Sequence, residues 1–290
     1  MTRRRSIAAL LPAVAGLALC TTATPVLAAE DTASAQAAEV NFAGTVALDN
    51  CSGSVVRLAS AAPEDPAVVL SNGHCLSEGF PGPGQVLVDQ PSDRTFELLS
   101  ADGASTVATL TATKLLYATM TGTDASLYQL DTSYAELEQQ TGIAALELSD
   151  TKPAAGADIN VVSGYWKEIY TCAMDGPVFE LHEGGYVWQD SIRYTPECQT
   201  IGGTSGSPIV DGATGKVVGV NNTGNESGGE CTMNNPCEVD ENGEKTVRQG
   251  INYGQQTYLF HGCLVAGSEI DLARPECALP KPAAALPEAA

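Results

Sequence analysis

Short apolar runs separated by turn-forming residues constrain the fold of this chain more than any other feature of its sequence. From Phe42 onward, runs rich in Val, Leu, Ala, Thr and Tyr recur between Gly, Pro, Asn and Asp residues. This pattern predicts β-strands rather than helices. In the first half, the predicted strands are Ser54–Leu58, Ala67–Leu70, Gln85–Val88, Thr95–Leu99, Val107–Leu116 and Ala125–Leu130. In the second half, they are Asp158–Ser163, Val178–Leu181, Tyr186–Tyr194, Ser207–Val210, Lys216–Val220 and Gly250–Phe260.

One helix is predicted between the two halves, at Tyr134–Gln140. Ser133 directly precedes this helix and Glu136 lies in its first turn, which is the spacing of a capping box. Six predicted strands in each half favour two closed antiparallel barrels, because closure leaves no sheet edge exposed. A single large β-sandwich is the alternative fold.

The first residues are typical of an export signal. Arg3–Arg5 give a basic start, an apolar run covers Ile7–Cys20, and Val26–Ala28 ends in the small-x-small pattern of a cleavage site. The apolar run is too short for a membrane-spanning anchor, and Pro12 interrupts it. We therefore expect residues 1–28 to be a signal peptide and the mature protein to be secreted, without a membrane anchor.

The segments that flank the predicted fold lack a periodic apolar pattern. Residues 29–41 are rich in Ala, Ser and acidic residues and predict a short pro-segment or flexible lead. Residues 273–290 form a C-terminal tail that is rich in Pro and Ala from Ala278, and we expect this part to be unstructured.

The charge of the chain excludes two classes of partner. Its formal net charge is −21, and removal of the signal peptide would take away three arginines and no acidic residue. Such a protein is repelled by nucleic-acid phosphates and by anionic lipid headgroups. We expect neither nucleic acid nor membrane as a partner of the mature form, and we expect a monomer.

Nine cysteines are present, of which Cys20 lies in the predicted signal peptide. The remaining eight predict four disulfides in an exported chain, although sequence alone allows 105 pairings. Proximity in sequence favours the pairs Cys51/Cys75, Cys172/Cys198, Cys231/Cys237 and Cys263/Cys277. No CxxC pair or histidine cluster supports a metal site, and no cofactor is predicted.

The acidic segment 226–244 leaves one metal alternative open. Glu238, Asp240, Asn242 and Gly243 fit part of a calcium-loop template, but its last position falls on Gln249 instead of Glu. The other interpretation is an acidic surface hairpin bounded by a disulfide.

Three motifs occur in an order that suggests nucleophilic catalysis. They are Ser71-Asn72-Gly73-His74-Cys75, then Thr121-Gly122-Thr123-Asp124-Ala125-Ser126-Leu127, then Gly202-Gly203-Thr204-Ser205-Gly206-Ser207-Pro208-Ile209-Val210. A serine hydroxyl becomes a useful nucleophile when an imidazole accepts its proton. The imidazole in turn needs a carboxylate that fixes its tautomer and stabilises the imidazolium.

With these motifs, and with the strand Cys51-Ser52-Gly53-Ser54-Val55-Val56, the chain resembles the trypsin/chymotrypsin-like serine peptidases, in particular the bacterial branch with a Gly-x-Ser-Gly-Ser-Pro turn. The resemblance spans roughly residues 42–272 and implies an endopeptidase domain of two six-stranded β-barrels, about 42–132 and 142–272, with the active site in the cleft between them.

The resemblance also implies a role for each motif residue. His74 would be the general base and then the general acid, Asp124 would orient it, and Ser205 would be the nucleophile. The backbone amides of Gly203 and Ser205 would form the oxyanion hole. Peptide or protein substrates would contact residues at the positions of the family's specificity pocket and substrate-pairing strand, namely Gln199, Thr200, Asn221, Asn222 and Thr223.

The chain departs from the family pattern at two places. Thr204 stands where animal members carry the aspartate that pairs with a newly released N-terminus, so activation by that ion pair is not expected. Gln199 stands where trypsin-like members carry an acid, and Asn221–Thr223 lack the histidine of the glutamate-selective members. The side-chain specificity therefore stays open.

Two other functions compete with a serine endopeptidase. An α/β-hydrolase esterase would use Ser205, Asp240 and His261, but its Gly-x-Ser-x-Gly elbow and its strand–helix alternation are missing. A catalytically silent pseudo-peptidase that binds proteins would keep the same fold.

Overall fold

In this computed structural model, which describes residues 39–283, the first half of the chain forms a closed antiparallel barrel. Its elements are β1 (Thr45–Ala47), β2 (Ser52–Arg57), β3 (Pro66–Ser71), β4 (Val86–Pro91), β5 (Thr95–Leu99), β6 (Thr106–Thr119), β7 (Ala125–Ser133), α1 (Tyr134–Thr141) and β8 (Leu146–Glu147). Six strands form the ring in the order β1-β5-β6-β7-β3-β2, and pairing of β2 with β1 closes it. β4 pairs with β6 outside this ring.

The second half forms another closed ring of six antiparallel strands. Its elements are β9 (Asp158–Ser163), β10 (Glu168–Glu183), β11 (Tyr186–Tyr194), β12 (Pro208–Asp211), β13 (Val217–Gly224), β14 (Cys237–Val239), β15 (Lys245–Val247), β16 (Asn252–Gln256), β17 (Leu264–Val265) and β18 (Glu269–Ile270). The ring runs β10-β11-β16-β13-β12-β9 and returns to β10. The hairpin β14–β15 extends from β10, and β17 and β18 pair separately.

The predicted fold class of two six-stranded barrels is therefore correct. Three strands, β5, β9 and β11, have the predicted bounds. All six predicted strands of the second half contribute to its ring. In the first half, the three-residue strand β1 escaped prediction because it is too short to show a pattern. β1 is the sixth strand of the ring. The predicted strand Gln85–Val88 corresponds to β4, which lies outside the ring.

Two further predictions need correction. β8 lies in the segment assigned to the second barrel but pairs in parallel with β2 of the first. The segment Gly250–Phe260 is not one strand: β16 ends at Gln256, Thr257 adopts helical dihedral angles, and Tyr258–Phe260 form a 3₁₀ turn.

The helix α1 joins the two barrels and begins as predicted. The Ser133 hydroxyl accepts a hydrogen bond from the Glu136 N–H, and the Glu136 carboxylate accepts one from the Ser133 N–H. Together these bonds satisfy two backbone donors that a helix start leaves free. Gly142 ends the helix with a positive φ of 71°.

A hydrophobic cluster between the barrels joins them. Leu116, Tyr117 and Leu127 of the first barrel pack in one cluster with Val217 and Val220 of the second. Leu279 belongs to the same cluster and is buried.

The C-terminal segment is more ordered than predicted. The Tyr117 hydroxyl donates to the carbonyl of Pro280 at 3.0 Å, and Leu279 is 2% exposed. The prediction of an unstructured tail from Ala278 is thus wrong for residues 278–280, because Leu279 supplies an apolar side chain that the cluster between the barrels buries.

Other predictions fall outside the described residues. These are the signal peptide 1–28, residues 29–38 of the predicted lead, and residues 284–290 of the tail. Within residues 39–283, the end of the lead contributes to packing, since Val40 contacts a small cluster that contains Phe42 and Val162. No helix in this range is long and apolar enough to cross a membrane.

Four disulfides join the pairs favoured by the sequence: Cys51–Cys75, Cys172–Cys198, Cys231–Cys237 and Cys263–Cys277. The first ties β2 to the turn that follows β3. The second ties β10 to the segment that leads to Ser205. Two of the four thus hold loops that carry predicted site residues.

Candidate active site

His74 and Asp124 come together in the first barrel. His74 lies in a 3₁₀ turn, Gly73–Cys75, directly after β3, and Asp124 directly precedes β7, which pairs with β3. The Nδ1 atom of His74 is 2.7 Å from the Oδ2 atom of Asp124. The Oδ1 atom of Asp124 accepts the His74 backbone N–H at 3.1 Å. Both carboxylate oxygens therefore hold the histidine, one through its ring and one through its backbone.

Asn72 fixes the loop of Asp124 through two hydrogen bonds. Its side-chain amide donates to the Asp124 carbonyl at 2.8 Å, and its own carbonyl accepts from the Ser126 hydroxyl at 2.8 Å. Asn72 and Asp124 are fully buried. These bonds leave the carboxylate of Asp124 free to serve His74.

The environment of His74 sets its pKa through opposing effects. Burial lowers the pKa, whereas the charge and the hydrogen bond of Asp124 raise it, with a smaller contribution from the charge of Glu183. The net result is a pKa above the ordinary value of 6.5. The imidazole of His74 therefore holds its proton more strongly than the imidazole of a free histidine does.

Ser205 lies on a tight turn that only glycine allows. Gly206 has a φ of +79°, and a Cβ there would lie 2.1 Å from the carbonyl oxygen of Ser52. The Ser52 N–H donates to the Ser205 carbonyl at 2.7 Å. The first barrel thus holds the backbone of the serine that the second barrel carries.

Two backbone amides of this turn are available to a ligand. Among residues 39–283, the N–H groups of Gly203 and Ser205 donate to no protein acceptor. Gly203 has a φ of +91°, and the side chains of Tyr165 and Trp166 cover its Cα. The indole N–H of Trp166 donates to the Gly202 carbonyl at 2.8 Å. Because N–H and C=O point in opposite directions in a trans peptide, this bond turns the Gly203 N–H away from Trp166.

Thr204 is held without a charged partner. The Asn221 amide donates to the Thr204 carbonyl at 3.1 Å and to its hydroxyl at 3.0 Å. The Tyr194 hydroxyl donates to the Oδ1 atom of Asn221 at 3.0 Å. All three residues are buried. The network that holds Thr204 is therefore neutral.

His74, Asp124 and Ser205 line one cleft, with a cavity volume of about 120 Å³. The Ser205 hydroxyl donates to the Asn222 carbonyl at 3.3 Å, and no hydrogen bond joins it to His74 within the described part of the chain. Phe80, which is half exposed, packs edge-on against the His74 ring with 5.7 Å between ring centres.

The predicted substrate-binding residues divide into two groups. Thr200, Asn222 and Thr223 line the cleft, as does Asn221, whose amide is engaged with Thr204. Gln199 does not line the cleft; its amide donates to the Pro196 carbonyl at 2.6 Å. The turn of the nucleophile loop directs Gln199 outward, which sequence spacing could not indicate.

Sequence reasoning missed Asn252, which narrows the pocket beside Thr200. Its amide nitrogen donates to the Cys198 carbonyl at 2.8 Å. Its Oδ1 atom fills the space that a Cβ on Gly224 would need. A substrate side chain that entered between Thr200 and Gly224 would therefore contact the polar side chain of Asn252.

Glu183 is a second residue of the cleft that sequence reasoning missed. It ends β10, lines the cleft, and is 3% exposed. Its Oε1 atom accepts the Asn234 N–H at 2.7 Å, while its buried Oε2 atom has no hydrogen-bond partner among the described residues. Burial raises the pKa of the Glu183 carboxyl above its ordinary value.

The residues of the competing esterase do not assemble. His261 lies 3.2 Å from the Leu148 carbonyl and lines a different cavity, and Asp240 is exposed at the tip of the β14–β15 hairpin.

The partial calcium template does not fit the structure either. Arg193 and Arg248 bind the Glu238 carboxylate, which leaves this group unsuited to a cation. His182 forms a 2.8 Å pair with Glu180 on the barrel surface.

Comparison with known proteins identifies the family. The family model described as "Trypsin-like peptidase domain" matches residues 51–220, which is more than half of the chain. The chain belongs to this family. A trypsin-like peptidase domain accounts for two antiparallel barrels with a cleft between them.

Solved structures of similar fold are distant in sequence from this trypsin-like domain. One is the MamO protease domain from Magnetospirillum magneticum, with 12% identity, a TM-score of 0.46, and coverage of 75% of this chain and 93% of that chain. Another is the protease Anisep from Arthrobacter nicotinovorans, with 18% identity, a TM-score of 0.41, and coverage of 76% and 92%. No curated protein sequence matches the chain.

Proposed function

We propose that this protein is an exported serine endopeptidase, with Ser205 as nucleophile, His74 as general base and acid, and Asp124 as the residue that orients the histidine. The observation that carries this proposal is the 2.7 Å contact between His74 and Asp124 in the cleft that Ser205 also lines. The family assignment supports a peptidase, and the apolar signal at residues 1–28 together with four disulfides supports export.

In the proposed reaction, the Ser205 Oγ attacks the peptide carbonyl carbon while its proton moves to the Nε2 atom of His74. The negative charge that develops on the carbonyl oxygen is accepted by the N–H groups of Gly203 and Ser205. Collapse of this intermediate breaks the C–N bond, and His74 gives its proton to the leaving amine. Water then attacks the acyl-enzyme by the same steps and releases the second product.

The N–H groups of Gly203 and Ser205 have no protein acceptor within residues 39–283, which supports this assignment of the oxyanion hole. One such donor is typically worth about 3 kcal/mol of the barrier, because it is already oriented toward the charge that develops. The substrate backbone would pair with Asn222–Gly224 as an added strand, and its side chain would enter the pocket beside Thr200.

A second function is favoured by one observation. The Ser205 hydroxyl bonds to the Asn222 carbonyl instead of to His74. A pseudo-peptidase that binds proteins without cleaving them could keep this arrangement permanently. In an active enzyme, a simple rotation about the Cα–Cβ bond of Ser205 would redirect the hydroxyl, a motion that takes nanoseconds or less in an exposed side chain.

A serine-directed fluorophosphonate separates the two functions. We expect the mature protein to be labelled at Ser205, as read by mass spectrometry of the modified peptide, and to cleave a mixed peptide library. Ser205→Ala should abolish labelling and lower turnover by several powers of ten while its melting temperature stays unchanged. Folded protein that neither reacts nor cleaves would point to the pseudo-peptidase.

A further inference from the structure

An orphaned acceptor in the cleft suggests which substrates the enzyme selects. The Oε2 atom of Glu183 is buried and has no partner within hydrogen-bond geometry among residues 39–283, although the Thr223 hydroxyl is near enough to the carboxyl to lower its pKa. A buried carboxylate oxygen without a partner costs free energy, so a native protein keeps one where another group completes it. Because Glu183 lines the cleft, a bound substrate can supply that group.

The charge of the cleft defines the class of this group. Of the described residues that line it, three carry carboxylates, Asp124, Glu183 and Glu226, and none is Lys or Arg. Asp124 is occupied by His74, whereas the Oε2 atom of Glu183 has no hydrogen-bond partner in the described part of the chain. A cationic side chain would satisfy that oxygen and would also be attracted by the net charge of the protein, −21.

The position of Glu183 relative to the serine identifies the subsite. A peptide paired with β13 points successive side chains to opposite sides. If the residue before the scissile bond enters the pocket of Thr200 and Asn252, its predecessor faces His74. Glu183 lines the same cleft as His74, held there by the Asn234 N–H, and this position is compatible with that side.

We propose that Glu183 forms a subsite that selects a Lys or Arg at the second residue before the scissile bond. This inference rests on the proposed endopeptidase function and assigns its substrate class. The ammonium or guanidinium group would donate to the free Oε2 atom, while the Asn234 N–H continues to hold the Oε1 atom. Glu226, which is exposed at the same cleft, would add only a screened attraction.

The test compares peptides that are identical except at this residue, which is Lys, norleucine or Glu. Norleucine matches the length of the lysine stem but carries no charge. In the wild-type protein, we expect kcat/KM for the Lys peptide to exceed that for norleucine by about tenfold or more, as for a buried charge-assisted hydrogen bond. The Glu peptide should be the poorest of the three.

Glu183→Gln keeps the shape of the side chain and removes its charge. The Lys-to-norleucine ratio should fall close to one in this variant. Both peptides are measured on the same protein, so any general loss of turnover cancels in the ratio. The matched control, Glu226→Gln, should retain most of the ratio.

The outcomes are distinguishable from failure of the proposed function. Cleavage without a preference for Lys, or a preference that survives Glu183→Gln, would overturn the subsite and leave the endopeptidase standing. Absence of both cleavage and fluorophosphonate labelling would overturn the endopeptidase and the subsite with it. If Glu183→Gln does not fold, equal rates for the Lys and norleucine peptides in the wild-type protein would still refute the subsite.

Discussion

At the scale of single residues, two opposing effects set the pKa of His74. Burial disfavours the charged imidazolium, whereas Asp124 favours it. Only the neutral imidazole can accept the Ser205 proton, so activity should fall as pH decreases through the pKa of His74. Because Asp124 holds this pKa above 6.5, the acidic limb of the kcat/KM profile should have its midpoint above that value.

Asp124→Asn tests this balance. Without the negative charge, burial dominates, and the midpoint of the acidic limb should move to lower pH. Turnover should fall by about 10⁴-fold, as for loss of the orienting carboxylate in a triad. The measurement is a pH–rate profile of both proteins on one peptide. A midpoint that does not move would mean that Asp124 has no electrostatic hold on His74.

Trp166 orients one half of the proposed oxyanion hole through its bond to the Gly202 carbonyl. Trp166→Phe removes the N–H donor and keeps most of the ring, so the peptide between Gly202 and Gly203 can rotate. We expect kcat to fall about tenfold with little change in KM, since one oxyanion donor is worth 10²–10³ in kcat and would here be misoriented only part of the time.

Tyr165→Phe is the matched control for this variant. The Tyr165 ring also covers Gly203, but its hydroxyl forms no hydrogen bond in the part of the chain that the structure describes. Its kcat should equal that of the wild type. Equal losses in the two variants would indicate that the loss in Trp166→Phe is not specific to the indole N–H.

At the scale of elements, the disulfide Cys51–Cys75 fastens the turn of His74 to β2. It closes a loop with a sequence separation of 24 residues. On the chain-entropy model, such a bond stabilises the fold by about 3 kcal/mol. The double variant Cys51→Ala/Cys75→Ala should lose about this much free energy of unfolding in a urea titration.

The pair Cys231→Ala/Cys237→Ala gives the comparison, because its loop spans a separation of only 6 residues. We expect a smaller loss of stability from this pair, about 2 kcal/mol. This disulfide brackets Asn234, which binds Glu183, so its loss should act on substrate preference more than on turnover. The reverse order of stabilities would contradict the chain-entropy account.

β10 illustrates what the sequence could and could not predict. The sequence predicts a strand at Val178–Leu181, but the strand extends back to Glu168. It passes through Asp175, Gly176 and Pro177, which are turn signals in sequence. A β-bulge between Met174 and Gly176 accommodates these residues within the sheet. The extension of β10 depends on its pairing with β9 and β11, and local sequence carries no information about that pairing.

The candidate site shows the same division. His74, Asp124 and Ser205 are predicted as site residues because each lies in a short motif and the motifs follow a known order, and the structure brings all three to one cleft. Trp166, Glu183 and Asn252 lie outside any motif. Glu183 and Asn252 line the cleft, and Trp166 contacts the nucleophile loop. These contacts arise through barrel closure, which brings strands distant in sequence side by side.

At the scale of the whole molecule, excess negative charge should govern encounter with substrates. The field of a protein with net charge −21 attracts cationic peptides, and salt screens it over about 10 Å at 0.1 M. We expect kcat/KM for a Lys-rich peptide to fall as NaCl rises from about 10 mM to 500 mM. A neutral peptide of equal length should show little change, and parallel losses for both would indicate an effect of salt on the fold.

The ordered segment 278–280 has a practical consequence for anyone who handles this protein. The Pro280 ring packs against Gly122, two residues before Asp124, while its carbonyl accepts the Tyr117 hydroxyl. A nick between Cys277 and Pro280 would therefore remove a support of the loop that positions the carboxylate. Preparations trimmed at this end could be mistaken for an inherently inactive protein, and intact-mass measurement should precede any assay.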